Sequence, residues 1–186
     1  MKKTKIVNIV AGPGAGKTTV AAGLFHLLKV AGKEAETTEE YAKDLVWEKR
    51  GETFNYSMYV FAKQFHSLYI RYGKVDYIVT DRPLIQSNVY HGFWQAPLYP
   101  DEWNEAFYKM VKTTWDLYDN EVYFINRVIP YNHNGRNESE QEAIEQDKLF
   151  KQSLIDLDIP FTELDGDEDA PRKIFEDLMR KEKESE

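Results

Sequence analysis

The sequence predicts an α/β fold, a mostly parallel β-sheet with helices on both faces, and three observations lead there. Short apolar runs alternate along the chain with longer stretches of helical periodicity, as crossover connections onto parallel strands require. A glycine-rich segment, Ala11-Gly-Pro-Gly-Ala-Gly-Lys-Thr18, falls between the first apolar run and the first helical stretch. A carboxylate, Asp81, directly follows another apolar run, at the strand end where a parallel sheet keeps its ligand.

Taken in order, the first strand is expected over residues 5–10 and the first helix over 17–30, where Val20, Leu24, Leu27 and Leu28 repeat at helical spacing. The polar stretch 34–38 is expected as the second strand, and a helix rich in Tyr, Phe and Met follows over 55–72. Strands over 75–80, 121–128 and 160–164 then alternate with helices over 100–118, 138–156 and 171–181. Residues 1–180 read as one domain with a lid near 130–140, and 181–186 as a charged tail.

Bulk properties exclude several classes of function. The 186 residues suit one core rather than two. No apolar run is long enough to span a bilayer. The start, Met1-Lys2-Lys3 before an apolar run, has the look of a signal peptide. The run is too short for one, and cleavage would destroy the glycine segment. The absence of cysteine removes disulfides, thiolate metal sites and a cysteine nucleophile, and is compatible with a cytoplasmic protein. A net charge of −8 disfavours broad nucleic-acid binding, which needs a positive surface.

The glycine segment fits the Walker A pattern, with Ala11 at its first position. Gly12, Pro13, Gly14, Ala15 and Gly16 let the backbone wrap a phosphate with its N–H groups pointing inward. Lys17 brings a point charge to the β/γ-phosphates, and the Thr18 hydroxyl can ligate Mg²⁺. Gly16 to Thr19 open a helix whose positive end adds to the anion site. The expected cofactors are therefore ATP, or GTP, and Mg²⁺. After strand 75–80, Asp81 is a candidate to hold magnesium through water or to accept a substrate proton. His133 is too isolated to argue for a metal site.

The chain resembles nucleoside and nucleotide kinases at Asp81-Arg82, and as a whole is similar to the compact P-loop kinase-like proteins often carried by bacteriophages. Glu40-Tyr-Ala-Lys-Asp-Leu45, Phe61-Ala-Lys-Gln-Phe-His66 and Pro130-Tyr-Asn-His-Asn-Gly-Arg136 carry the likeness beside the phosphate loop. More distantly it is similar to ribosylnicotinamide kinases. The resemblance implies a P-loop NTPase three-layer sandwich with strand order 2-3-1-4-5. It implies phosphate binding by Arg82, acceptor-side chemistry by Glu40 with Tyr41 beside it, and base recognition by the Gln64 amide. It also implies lid arginines at Arg136 and Arg127 that meet the nucleotide. An acidic first turn at 39–40 would equally serve helix capping, and the aromatic helix face would equally be core. Whether Glu40 or Asp81 is the general base stays open.

The expected activity is transfer of the ATP γ-phosphate to a small nucleoside-, nucleotide- or ribosylnicotinamide-like acceptor, in the host cytoplasm if the chain is phage-encoded. Two other readings remain: a kinase of hydroxymethylated bases in phage DNA, and a P-loop ATPase that transfers to no acceptor. Homodimerisation is left open.

Overall fold

A computed structural model of the chain describes residues 2–38, 56–132 and 139–184. Five parallel strands form one sheet in the order β2-β3-β1-β4-β5, as the resemblance implied. They are β1 (Lys5–Val10), β2 (Ala35–Thr37), β3 (Tyr77–Thr80), β4 (Asp119–Asn126) and β5 (Thr162–Asp165). The described helices are α1 (Lys17–Val30), α2 (Ser57–Tyr69), α3 (Gln86–Trp94), α4 (Asp101–Trp115), α5 (Glu140–Asp156) and α6 (Ala170–Glu184).

The sheet is covered on both faces, so its central strands read as near-continuous apolar runs rather than alternations. Successive residues of β1 serve opposite cores. Val7 and Ile9 pack with Val20, Leu24 and Leu28 of α1 and with Ile174 and Leu178 of α6. Ile6 and Val10 pack on the other face with Phe61 of α2, Phe107 and Val111 of α4, and Phe150 and Leu154 of α5. The buried Asn8 in this strand donates from Nδ2 to the Ile6 carbonyl and to Asn120 Oδ1, both at 3.1 Å. Both edge strands are short, and β2 is polar because an edge needs less apolar surface than the sheet's middle.

Differences from expectation have local causes. β4 begins two residues earlier than expected because Lys5 pairs in register with Asp119. It ends at Asn126, whose carbonyl accepts the Gly166 N–H at 2.9 Å, while the next side chain turns toward the glycine segment. Helix α3 was not expected, since its buried face is polar: Gln86, Ser87 and His91. His91 is fully buried, its Nε2 2.8 Å from Asn104 Oδ1 on α4 and its Nδ1 3.0 Å from Ser57 Oγ at the start of α2. Helix α6 runs past 181 to Glu184, because Lys181 reaches Glu121 Oε1 at 2.6 Å and Lys33 reaches Glu182 at 2.7 Å. Helix α5 starts with a capping box: Ser139 Oγ accepts from the Glu142 N–H, and Glu142 accepts from the Ser139 N–H at 2.7 Å.

Asp177 on α6 ties that helix to the sheet. It accepts from Tyr123 Oη at 2.7 Å and pairs with Lys181 at 2.8 Å. Burial works against its charge, but hydrogen bonds from Lys181, Tyr123 and Arg180 outweigh it and hold the carboxyl below the ordinary Asp pKa. A depressed folded-state pKa gives a contribution that is complete above the unfolded value, about 4. It is lost as pH falls through the folded-state value. Asp177→Asn should therefore lower Tm at neutral pH, and the gap from wild type should shrink as the pH drops below about 4. An unchanged gap across that range would mean the carboxylate charge contributes nothing.

Candidate functional site

Because β1 lies in the middle of the sheet, the glycine segment that follows it emerges at the centre of the sheet's carboxyl edge. The chain turns there through Gly14, at φ +77°, and enters α1 at Lys17. A Cβ at Gly14 would need a strained backbone and would stand 2.8 Å from the Tyr131 ring. Gly12 is required for a different reason. Helix α5 packs so closely that a Cβ there would lie 2.6 Å from both the Ala143 carbonyl oxygen and Asp147 Oδ1.

Side chains hold this loop at its own backbone groups. The Gly12 N–H donates to Asp147 Oδ1, and the Gly12 carbonyl accepts from Lys17 Nζ at 2.7 Å. Arg127, just past β4, donates from Nη2 to the Pro13 carbonyl at 2.8 Å and from Nε to Asp147 Oδ2 at 3.0 Å. The Arg127 guanidinium also lies 5.7 Å from the centre of the Tyr131 ring. Among the described residues, its Nη1 is buried and has no hydrogen-bond partner.

Asp81 follows β3 directly, and its Oδ2 accepts from Thr18 Oγ1 at 2.6 Å. The register that places it there is fixed by Thr80, whose Oγ1 accepts from Thr38 Oγ1 at 2.8 Å and from the Arg82 N–H at 3.1 Å. Beside this pair, Thr38, Gln64, Ser67, Leu68, Thr80 and Arg82 line a small cleft of about 10 Å³ between the ends of β2 and β3 and helix α2. The Gln64 carbonyl oxygen accepts from Ser87 Oγ at 3.3 Å.

The structure thus brings Gly12–Thr18, Asp81 and Arg127 to one sheet edge, and Gln64 and Arg82 to an adjoining cleft. Thr19 is exposed on the first turn of α1. Glu40, Tyr41 and Arg136 lie outside the described residues. So does most of the expected lid; its Tyr131 borders the loop at Gly14, and Ile129, just before it, borders Gly16. Sequence reasoning missed Asp147. Its signal was a small residue and a carboxylate one helical turn apart, Ala143 and Asp147, a pattern that any solvated helix face also shows.

Magnesium keeps much of its water shell and takes one or two protein oxygens beside substrate phosphates. The Thr18 hydroxyl and Asp81 carboxylate fit that donor set. Among the described residues no group of three or more Asp, Glu, His or Cys side chains gathers into a dedicated metal cage.

A family model described as an AAA domain matches residues 6–170. The chain belongs to that AAA-domain family. No curated protein matches the sequence. Among solved structures, deoxyadenosine kinase from M. mycoides with bound dATP is 16% identical with a TM-score of 0.59, over 95% of this chain and 98% of that one. The same enzyme with the products dCMP and dCDP gives 17% identity and a TM-score of 0.55, over 97% and 100% of the two chains. NadR protein in complex with NR is 15% identical with a TM-score of 0.67, over 95% of this chain but only 49% of NadR. At such identities the likeness is one of fold, a P-loop kinase-like fold shared with these neighbours.

Gly12→Ala tests the contact between loop and helix. The added methyl meets helix backbone, which cannot yield as a flexible side chain would, so a cost of about 1–3 kcal/mol is expected. The AAA-domain chain carrying it should fold with a lower Tm and bind nucleotide poorly. A wild-type Tm would show that α5 does not press on the loop.

Proposed function

We propose that this AAA-domain protein is a magnesium-dependent kinase that transfers the ATP γ-phosphate to a small nucleoside-, nucleotide- or ribosylnicotinamide-like acceptor. One observation carries the reading: Asp81-Arg82 joins the two halves of the site. Asp81 touches the phosphate-loop hydroxyl of Thr18, and Arg82 lines the small cleft that Gln64 shares. A site that binds nucleotide alone has no need of the second half. The fold shared with deoxyadenosine kinase and NadR supports the same reading.

The loop N–H groups and the α1 terminus hold the phosphates, and Lys17 exchanges the Gly12 carbonyl for a β/γ-phosphate oxygen. Thr18 and Asp81 would hold Mg²⁺, which supplies charge neutralisation on the transferring group. Arg82 and Gln64, with Tyr41, orient the acceptor, and Glu40 or Asp81 takes the proton from its hydroxyl. Arg136, brought in by the lid, meets charge on the phosphoryl group and helps exclude water, which favours transfer over hydrolysis.

ATP consumption measured with and without nucleosides, nucleotides, ribosylnicotinamide and hydroxymethylated DNA tests this reading. Turnover should require a small acceptor. Equal hydrolysis with and without acceptors would make the protein an ATPase, and turnover on the DNA alone would make it a base kinase. Lys17→Met should cost on the order of 10²–10³ in rate with the fold intact, because a preorganised charge on the moving group is lost. Normal turnover and ATP affinity in that variant would overturn the assignment of the loop.

The two carboxylates should separate in the same assay. Glu40→Gln should abolish transfer while sparing Mg-ATP affinity, and Asp81→Asn should weaken metal dependence together with rate. Equal, mild losses from both would place the proton transfer elsewhere.

A further inference from the structure

We propose that Asp147 is a positioning residue for nucleotide binding: it aims one N–H of Arg127 at the phosphate site and clamps the start of the phosphate loop. The inference rests on the kinase reading only in supposing that the loop receives a nucleotide.

Asp147 uses its two oxygens for different partners. Oδ1 accepts the Gly12 N–H, and Oδ2 accepts from Arg127 Nε at 3.0 Å, with Nη2 of the same guanidinium 2.9 Å away as an ion-pair contact. The Arg127 side chain is only 10% exposed and that of Asp147 17%, so the pair is shielded enough for its geometry to persist. Nη2 also serves the Pro13 carbonyl at 2.8 Å and reaches the Ala143 carbonyl at 3.5 Å. Two of the three guanidinium nitrogens are thereby committed. The third, Nη1, is buried, has no partner among the described residues, and lies 3.2 Å from where a Cβ of Gly14 would be. A buried donor without an acceptor costs free energy. Beside a loop built to surround an anion, the acceptor that would relieve that cost is a phosphate oxygen.

A guanidinium is planar, so fixing Nε on the Asp147 carboxylate and Nη2 on the Pro13 carbonyl fixes the direction of Nη1. Without Asp147 the arginine would keep its charge and lose its aim.

The test is a double-mutant cycle on Mg-ATP affinity, measured by calorimetry on the full chain with Arg127→Leu, Asp147→Asn and the pair. Wild type should bind, and Lys17→Met should bind more weakly. Asp147→Asn, near-isosteric, should weaken binding tenfold or more, yet add less than twofold in the Arg127→Leu background, because it acts through that arginine. Additive losses would make Asp147 a separate structural prop, and wild-type affinity in Asp147→Asn would remove it from the site; either overturns the proposal. Should Asp147→Asn alone fail to fold, the Arg127→Leu/Asp147→Asn pair, which leaves no unpaired charge and keeps an oxygen for the Gly12 N–H, must bind within twofold of Arg127→Leu alone. Binding outside that range, tighter or weaker, overturns the proposal. If wild type binds no nucleotide, or binds it independently of Lys17, the kinase reading fails and this inference with it. If wild type binds through Lys17 and the cycle is additive, only this inference fails.

Discussion

A loop that points its N–H groups at an anion cannot spend those groups on its own hydrogen bonds, so something else has to hold its shape. That constraint organises the sheet edge of this protein. At one end the loop is anchored by β1, the strand with neighbours on both sides and cores on both faces. At the other end it becomes α1, whose apolar stripe shares a core with α6. Between these anchors the carbonyls of Gly12 and Pro13 and the N–H of Gly12 are gripped by Lys17, Arg127 and Asp147. These grips fall on Gly12 and Pro13, near the start of the loop.

The same economy holds one strand over. Thr80 is buried at the end of β3 and spends its hydroxyl on Thr38 and on the Arg82 N–H. That hydroxyl fastens the chain just before and just after Asp81 without touching its carboxylate, which is left to face Thr18. Side chains at both strand ends thus work on backbone and on neighbours, and the groups with chemistry to do stay oriented and accessible.

Most of this architecture was legible in the sequence where a single physical demand dominates. Residues 6–10 are apolar but for Asn8 because the strand is buried on both faces, and the spacing of Val20, Leu24 and Leu28 had to follow the helix because one face of α1 is core. Asp81 was legible because it follows an apolar strand with no intervening loop. Helix α3 was not, because Gln86, Ser87 and His91 form its buried side, and periodicity of apolar residues cannot report a polar core. Asp147 was not, because its meaning depends on Arg127, twenty positions away, and on a glycine that lets α5 approach. Gln64 could be placed on its helix by sequence. Its bond to Ser87 could not be foreseen, since Ser87 belongs to the helix that was missed.

The division of charge at the loop follows from these contacts. Arg127 faces Asp147 at 2.9 Å, so the pair presents little net charge to a distant nucleotide. Lys17 donates to the Gly12 carbonyl at 2.7 Å. The positive end of α1 works in a chain whose net charge is −8 and whose general field repels anions. A compensated arginine still offers a donor of fixed direction, and direction is worth most at contact distance, where hydrogen-bond energy falls steeply with angle. An arginine neutralised but aimed can therefore fix where an oxygen rests without adding to the long-range field.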